Sequence, residues 1–337
     1  MKRLILIVGL LTGSLAQAQI SSGFESVIAA GQEDANTIMD AYMNPAMEGL
    51  VYAMNGGWYH SAKTHKKLGF DLTIAYSGAM VPEDKELFAF SELEFNNMIT
   101  ANPDLSPTAA GGGEGALVTV MLEGTDEEVQ FRMPQGAKDE LPFNAVPAPI
   151  LQASVGLIYD TDVIVRFVPE VGSDDIKGSQ FGAGLKHNLM QYLGPLDNLP
   201  LNISVLGAFS TMNVDYDFTD GEIIAGDNQR AEFKLNSFTV QALASLDFPI
   251  VSVYGGLGYA GGSSSLKVLG TYEIDYEVAG VFSRTETFVD PIDLDYDPSG
   301  VRATLGARLN LAFFKLFADY TLQEYNTLTA GIAFSFR

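Results

Sequence analysis

The final segment of the chain alternates large apolar residues with small or polar ones. The apolar positions are Leu328, Ala330, Ile332, Phe334 and Phe336, and the intervening positions are Thr327, Thr329, Gly331, Ala333 and Ser335. Because successive side chains of a strand point to opposite faces, this alternation predicts a strand with one apolar face and one small, polar face. The same alternation recurs along the chain, so we expect a protein built mainly of strands.

The alternation becomes regular from residue 151 onward. Residues 151–159 and 162–167 alternate on either side of a tight Asp160-Thr161 turn, which predicts a β-hairpin. Further strands follow, and an early pair is predicted at Met47 to His60 and Leu68 to Met80. With one or two strands hidden in residues 81–147, the prediction is about 12 strands, within a range of roughly 10 to 14.

The positions that alternate with the large apolar ones, which we call the opposite parity, are not densely charged. In residues 299–311 it carries Arg302, Thr304, Gly306, Arg308 and Asn310. A soluble barrel would turn its apolar parity inward and expose a charged one, whereas a membrane barrel turns apolar residues to lipid and polar ones to its lumen. Tight turns that alternate with long polar loops also favour an outer-membrane barrel. The predicted fold is therefore all-β, a transmembrane antiparallel β-barrel with a short N-terminal helical segment; a soluble periplasmic or secreted barrel is the alternative.

The N-terminus has the pattern of a cleavable signal peptide. Lys2 and Arg3 precede an apolar run that is too short for a spanning helix, which needs about 20 residues, and Ala16-Gln-Ala18 fits a cleavage site. Helical spacing follows, and Asn44-Pro45 is predicted to end that helix. The predicted divisions are a signal peptide (1–18), a helical plug or gate segment (19–46) and a barrel (47–337), which contains an elaborated loop or subdomain (81–147) and long external loops (near 213–232 and 262–298).

Composition narrows the classes of function. The chain has 42 acidic and 19 basic residues and a net charge of −23, which argues against a nucleic-acid partner and against a basic membrane-docking patch. It has no cysteine, so disulfides and thiol chemistry are excluded. Its aromatic residues suit interfacial girdles, to which we assign Trp58, Tyr59, Tyr254, Tyr259, Tyr320 and Tyr325.

Several charged residues fall on the parity that would face the lumen. These lumen candidates are Asp71, Arg166, Lys186, Arg302, Arg308, Lys315 and Asp319. One interpretation is structural pairing of the cations with Asp71, Asp162 and Asp319 across neighbouring strands. The other is a lumen that favours anionic or amphipathic solutes. A second set, Ile38, Tyr42, Asn44 and Pro45, supplies the gate candidates of the N-terminal helix.

The chemistry of enzymes and metals is not favoured by the sequence. None of His60, His65 and His187 is brought near a serine by a recognisable motif, and no G-x-S-x-G occurs. A zinc site at His60 and His65 would lack further ligands. The acidic runs around 215–220 and 293–297 do not match an EF-hand and fit solvated turns. We expect no enzymatic activity, no metal and no cofactor.

Several short blocks carry a resemblance to a known family. They are Tyr42-Met-Asn-Pro45, Asn55-Gly-Gly-Trp-Tyr59, Leu68-Gly-Phe-Asp71, Gly156-Leu-Ile-Tyr-Asp-Thr161, Arg166-Phe-Val-Pro169 and Gly182-Ala-Gly-Leu-Lys-His187. In these blocks the chain resembles an uncharacterised family of Bacteroidota outer-membrane β-barrel proteins, a domain of unknown function. The resemblance implies an outer-membrane location and a barrel, but no established activity. Asn44-Pro45-Ala46 is also similar to a plug-associated tripeptide of long-chain fatty-acid transporter-like barrels.

Two functions are consistent with this pattern. The first is passive transport of small or hydrophobic solutes across the cell outer membrane, gated by the N-terminal segment. The second is a non-conducting structural or interaction barrel. Expected partners are outer-membrane lipid, an unknown small solute and the barrel assembly machinery, for which Ile332, Phe334 and Phe336 form a candidate membrane-insertion signal. A transporter should contain an apolar pocket or a water path beside residues 20–45, whereas a structural barrel should be filled by paired charges.

Overall fold

The computed structural model describes residues 27–28, 31–121, 128–172, 176–194, 200–218, 225–278 and 282–336. The predicted signal peptide, residues 1–18, lies outside the described residues. The main helix is α1 (Gln32–Met54). The strands are β1 (Phe70–Met80), β2 (Leu87–Ala89), β3 (Met98–Asn102), β4 (Leu105–Pro107), β5 (Leu117–Met121), β6 (Glu128–Arg132), β7 (Ala145–Gly156), β8 (Thr161–Gly172), β9 (Ile176–Asn188), β10 (Leu201–Asp217), β11 (Arg230–Asp247), β12 (Val251–Leu269), β13 (Thr271–Val278), β14 (Phe282–Val289), β15 (Ile292–Tyr296), β16 (Ser299–Leu311), β17 (Phe314–Leu322) and β18 (Thr327–Phe336). Single 3₁₀ turns occur at Glu83–Lys85, Phe90–Glu92, Lys138–Glu140, Pro142–Asn144 and Met190–Tyr192.

Ten antiparallel strands of the described chain close into one barrel. They are β1, β7 to β12 and β16 to β18, each paired with the next in chain order. The barrel closes where β18 returns to β1, with Phe70 opposite Phe336 and Ala79 opposite Thr327. Closure pairs the backbone groups of every wall strand on both sides, which leaves no open sheet edge. The all-β barrel prediction is confirmed, with ten wall strands rather than 12.

Two segments account for the difference in strand number. The predicted strand from Met47 to His60 is wrong, because α1 continues through Pro45 to Met54 and an irregular segment follows. Residues 50–54 form a short continuous apolar run, which periodicity alone does not assign to a helix or a strand. The strands within 81–147 pair only with one another, so they form small sheets beside the barrel and contribute no wall strand before β7.

The outer surface of the barrel is apolar and its inner surface is polar. Large apolar side chains exposed on the outside include Leu72, Ile74, Leu151, Val165, Leu185, Val205, Val240, Leu246, Val253, Leu257, Val301, Leu305 and Leu309. Buried inward positions include Thr73, Ser77, Gln152, Ser154, Ser204, Ser210, Ser237, Thr239, Gln241, Ser245, Ser252, Thr304, Thr321 and Thr329. This is the reverse of the distribution in a soluble barrel and the distribution of a membrane barrel.

Two rows of aromatic residues flank this apolar band. One row crosses β8 to β12 and comprises Phe167, Phe181, Phe209, Phe238 and Tyr259. Its ring centroids lie 6.3 Å apart between Phe181 and Phe209 and 6.4 Å apart between Phe238 and Tyr259. The opposite row includes Phe70, Phe313 and Phe336, whose neighbouring centroids are 5.0 and 6.5 Å apart. Aromatic girdles of this kind mark the two interfaces of a membrane barrel.

The two ends of the barrel differ in their connections. At the turn end, short connections join β7 to β8, β11 to β12 and β16 to β17, and the last residues of β18 lie there. At the loop end lie the long segments 81–144 and 270–298, which carry β2 to β6 and β13 to β15. None of the described helices is long and apolar enough to cross a membrane.

Helix α1 lies at the loop end and forms the centre of a cap. Its Ile38 and Met47 are buried in one apolar cluster with Phe90, Val118 and Leu294, which come from the two long segments. The helix is therefore fixed by tertiary packing, which outweighs the loss of one backbone hydrogen bond at Pro45. The described strands between residues 81 and 144, β2 to β6, form part of this cap.

Candidate functional site

The lumen is occupied by residues 55–69, which we call the threading segment. It leaves the end of α1 at the loop end and reaches the turn end, where β1 begins at Phe70. Along its course it contacts inward residues of strands on every side of the barrel. Its residues from Trp58 to Ala62 are all buried, with His60 the most accessible at 9%. The segment is thus a continuous plug of the described lumen.

Two arginines from different strands bind backbone carbonyls at the junction of α1 and the threading segment. Arg166 of β8 donates to the carbonyl of Met54 at 2.8 Å, to the carbonyl of Gly56 at 2.6 Å and to Gln152 Oε1 at 3.0 Å. Arg302 of β16 donates to the carbonyl of Asn55 at 2.7 Å. The last carbonyls of a helix have no partner within the helix. The two guanidinium groups satisfy those of Met54 and the C-cap Asn55, together with that of the following Gly56.

The same contacts account for the burial of Arg166. Its side chain is 0% exposed, and its guanidinium carbon lies 3.7 Å from the centroid of the Trp58 ring. A buried cation requires compensating negative charge. The C-terminal end of a helix carries a partial negative charge, and an aromatic face attracts a cation. Arg166 and α1 therefore stabilise each other inside the lumen.

Small residues of the wall make room for the large side chains of the threading segment. A Cβ atom on Gly184 or Gly182 would lie 3.3 or 3.1 Å from the Trp58 ring, and one on Gly256 would lie 2.3 Å from the Tyr59 hydroxyl. Tyr59 also donates to Gln241 Oε1 at 3.2 Å. The wall is shaped to the segment that fills it, because each close approach occurs where a side chain is absent.

At the turn end, titratable groups form an unbroken chain of contacts across the lumen. Consecutive atoms lie between 2.9 and 3.4 Å apart, in the order Asp247, Arg308, His60, Asp71, His65, Asp162 and Lys186. His60 and His65 belong to the threading segment, whereas the other five belong to the wall. These contacts therefore fix the part of the threading segment nearer the turn end at two residues, His60 and His65.

The contact geometry assigns protons within this series of titratable groups. Arginine only donates, so the Nδ1 atom of His60 accepts from Arg308 and its Nε2–H faces Asp71. Both ring nitrogens of His65 face carboxylates, Nε2 towards Asp71 and Nδ1 towards Asp162 at 3.1 Å each, which suits an imidazolium. Three carboxylates, Asp71, Asp162 and Asp247, then face three cations, Arg308, His65 and Lys186, so the charges of this turn-end series balance.

A third set of contacts joins α1 to the loop end of the wall. Lys85 lies 2.8 Å from Glu48 of α1 and 2.7 Å from Glu324 of the β17–β18 turn. Tyr52 donates to Glu324 and Tyr325 donates to Glu48, each at 2.8 Å. The hydrogen bond from Lys85 outweighs partial burial and lowers the pKa of the Glu324 carboxyl below its ordinary value. This Lys85–Glu324 cluster fastens the helix outside the membrane-spanning strands.

Most of the predicted lumen residues lie inside the barrel. Arg166, Arg302, Arg308, Lys186 and Asp71 contact the threading segment as described, and buried Asp319 accepts from Tyr254 at 2.9 Å. Lys315 is half-buried on the same parity. Of the expected carboxylate partners, Asp162 pairs with Lys186, whereas Asp71 contacts two histidines and Asp319 a tyrosine. Arg308 pairs with Asp247 instead, and Arg166 and Arg302 bind backbone carbonyls.

The gate candidates lie in the cap and not in the lumen. Ile38 is 0% exposed in the cap cluster, Tyr42 donates to the carbonyl of Gln135, and Asn44 and Pro45 continue the helix. The lumen is filled by the residues that follow them. Ile332 and Phe336, from the insertion signal, lie exposed on the outer face of β18, and Phe334 is half-buried there.

Four of the six aromatic residues assigned to girdles are buried instead. Trp58, Tyr59, Tyr254 and Tyr325 are all less than 9% exposed, whereas Tyr259 and Tyr320 are exposed on the outer face. The first two follow a helix, so strand parity does not apply to them. Of the acidic residues weighed for calcium, Asp293 contacts Lys267 at 2.8 Å, and Asp220 lies outside the described residues.

Comparisons with known proteins give one family and several distant structures. A family model described as "Family of unknown function (DUF6588)" matches residues 1–336. No curated protein matches the chain. The structure is similar to Ail of Yersinia pestis, with 12% identity and a TM-score of 0.27 over 80% of this chain and 100% of that chain. It is similar to the translocator domain of the autotransporter NalP from Neisseria meningitidis, with 10% identity and a TM-score of 0.29 over 89% of this chain and 97% of that chain. It is also similar to a FadL homologue of Pseudomonas aeruginosa, with 12% identity and a TM-score of 0.19 over 88% of this chain and 90% of that chain. Similarities with such low TM-scores carry no argument about mechanism.

Replacing Arg166 should loosen the threading segment. Arg166→Met keeps most of the volume but leaves the carbonyls of Met54 and Gly56 without their donor, which should lower the free energy of unfolding by about 3 kcal/mol. Trp58 is the only tryptophan, so its fluorescence should shift to the red and become open to acrylamide quenching. Arg166→Lys should restore stability only in part, because an ammonium lacks the planar fork. Lys177→Met, at an exposed site, is the control. Unchanged Trp58 emission in Arg166→Met would contradict the role of Arg166 in holding the threading segment.

Acid should weaken the attachment of α1 through Glu324. A carboxylate with a lowered pKa stabilises the folded state fully above its ordinary pKa, and this stabilisation is lost as the pH falls through the folded value. Hydrogen exchange of α1, corrected for intrinsic rates, should therefore accelerate between about pH 5 and pH 3. Glu324→Gln should remove much of this acceleration, and Glu94→Gln, at an exposed site in the cap, should not. Equal pH dependence in the two variants would refute the assignment.

Proposed function

The chain belongs to this family of unknown function, and we propose that it is a sealed, non-conducting β-barrel of the outer membrane that holds an interaction platform at its loop end. The platform is the cap formed by α1, the strands of residues 81–144 and β13 to β15. The observation that carries the proposal is the filled lumen. A polypeptide segment occupies it from one end to the other, with hydrogen bonds and ion pairs to the surrounding wall.

A membrane location is supported by the outer surface. The exposed side chains between the two aromatic rows are predominantly apolar, and an area of this kind is rare on a soluble monomer. Closed strand pairing meets the requirement that backbone groups within lipid have partners. The signal-peptide pattern at residues 1–18 and the aromatic C-terminal strand are consistent with export and insertion.

The passive-transport hypothesis is less well supported. It requires an apolar pocket or a continuous water path beside the N-terminal segment. Among the described residues, the cleft beside the start of α1 is polar, and the lumen beyond the helix is taken by buried residues of the threading segment. A solute could pass along the lumen only if the Arg166 and Arg302 contacts and the ion pairs at the turn end were broken together. Each of these involves buried polar groups that are costly to leave without partners.

The asymmetry of the two ends supports one orientation. Outer-membrane barrels have short periplasmic turns and longer external loops, so the turn end would face the periplasm and the cap would face outward. The cap then carries α1 and several exposed apolar side chains, among them Met98 and Leu105, at 65% and 52% exposure. Exposed apolar groups on an acidic, water-facing surface suit contact with another macromolecule more than solute passage.

Conductance in planar bilayers tests the seal. The complete protein should give no single-channel steps, and neither should a variant that lacks residues 32–45 of the helix, because the threading segment remains. A variant that lacks residues 27–64 should conduct, since the lumen then holds mainly water. Steps from the complete protein would contradict the proposal. So would the absence of steps from the 27–64 deletion once its heat-modifiable electrophoretic mobility has shown that the barrel is folded.

Cysteine labelling in intact cells tests the orientation. The chain has no cysteine, so single substitutions can be labelled without background. Gln32→Cys lies at the exposed start of α1 and should react with a membrane-impermeant maleimide added outside. Lys67→Cys lies exposed at the other end of the threading segment and should react only after the outer membrane has been permeabilised. The opposite pattern would place the cap in the periplasm.

A further inference from the structure

A groove lies on the outer face of the barrel, at the level of the aromatic row nearer the loop end. Its volume is about 520 Å³, within the range of ligand sites. Three aromatic residues of that row, Phe209, Phe238 and Tyr259, form its apolar part. It opens to the surroundings of the barrel. Buried Ser210 and Ser237 of the wall also line it, whereas no residue of the threading segment does.

The groove forms where strand β12 changes its pairing partner. The part of β12 nearer the turn end, up to Gly261, pairs with β16, and the part nearer the loop end, from Ser264, pairs with β15. Residues 297 and 298, between β15 and β16, interrupt the hydrogen-bonded ladder along β12. A Cβ on Gly261 of β12 would lie 2.6 Å from the Ser299 side chain, which leaves no room for a larger residue. The result is a notch in a wall that is otherwise continuous.

Polar groups line the edge of the groove. Asn236, Asp297 and Ser299 contribute an amide, a carboxylate and a hydroxyl, and all three residues are exposed. Tyr259 donates to Ser299 Oγ at 2.7 Å, which fixes the position of the phenol hydroxyl. Among the residues that line it, none is basic. Aromatic faces on one side and oxygen-rich side chains on the other are therefore brought together at a membrane interface.

Aromatic faces beside carboxylate, amide and hydroxyl groups favour one chemical class of ligand, a neutral sugar. A sugar ring has an apolar C–H face that packs on an aromatic ring, and hydroxyl groups at its edge that donate to carboxylate and amide oxygens. An anionic headgroup would be opposed by the Asp297 carboxylate, with no cation in the lining to compensate. Outer-leaflet lipid is in contact with this surface if the protein spans the membrane as proposed.

We propose that this groove binds the sugar headgroup of a neutral glycolipid in the leaflet next to the cap. The acyl chains would lie along the apolar band below Phe238 and Tyr259, and the sugar would contact Asp297 and Asn236. This inference rests on the proposed membrane location, but it does not depend on whether the lumen is sealed.

Native mass spectrometry of the complete protein from nanodiscs tests the proposal. The nanodiscs contain equal amounts of glucosyl-diacylglycerol, phosphatidylcholine and phosphatidylglycerol with identical acyl chains. The wild-type protein should retain the glucolipid in preference to the other two. Tyr259→Ala and Asp297→Ala should each lower this retention about tenfold, the effect of losing one hydrogen bond to a charged group or one stacking surface.

Two matched variants serve as controls. Asp295→Ala removes an equal charge from the neighbouring strand β15, and Phe167→Ala removes an aromatic residue from the same row outside the groove. Both should retain the glucolipid as the wild type does. Equal retention of the three lipids, preference for phosphatidylglycerol, or equal losses in controls and groove variants would overturn the proposal. Incorporation into nanodiscs and heat-modifiable mobility are scored separately, so failure of the membrane location is distinguishable from failure of the groove.

Discussion

The backbone of the threading segment imposes the constraint on which the rest of the structure depends. A chain that crosses a closed barrel carries amide and carbonyl groups into a space with little water, and each of them needs a partner. The wall supplies most of these partners from side chains, because its own backbone groups are largely paired between strands; at the turn end the backbone of Gly156 also pairs with Leu68 and Gly69. This is why the lumen is lined by serine, threonine, glutamine and arginine, and why α1 ends where Arg166 and Arg302 can reach its last carbonyls.

Charge is balanced in a different way at each end of the lumen. At the turn end, the carboxylates of Asp71, Asp162 and Asp247 face three cations, so pairing is conventional. At the entry of α1, Arg166 is compensated by helix carbonyls and by the Trp58 ring. Together the two arrangements allow a chain with a net charge of −23 to keep a nearly neutral interior, while many of its described acidic residues lie at the loop end.

The sequence predicts the wall much better than the lumen. Strand parity is a local property, so β16 and β18 and the inward positions of Arg302 and Arg308 follow from alternation alone. The threading segment has no period, and its contacts join residues far apart in the chain, such as Met54 with Arg166. Nothing local distinguishes Trp58 in a lumen from Trp58 in a girdle. The one usable signal is the run of glycines, Gly182 and Gly184, on a strand whose inward side needs space.

The separation of these partners along the chain also constrains how the barrel acquires its seal. Arg166 lies 112 residues from the carbonyl that it binds, and Arg302 lies 247 residues from its own. Ordering the segment therefore requires strands from both halves of the barrel, and the entropy of closing such long loops is recovered only when the wall is complete. A barrel that lacks β16 to β18 has neither the second arginine nor Arg308. The contacts that order the threading segment and the pairings that complete the wall thus depend on the same strands, so we expect the segment and the closed barrel to stabilise each other.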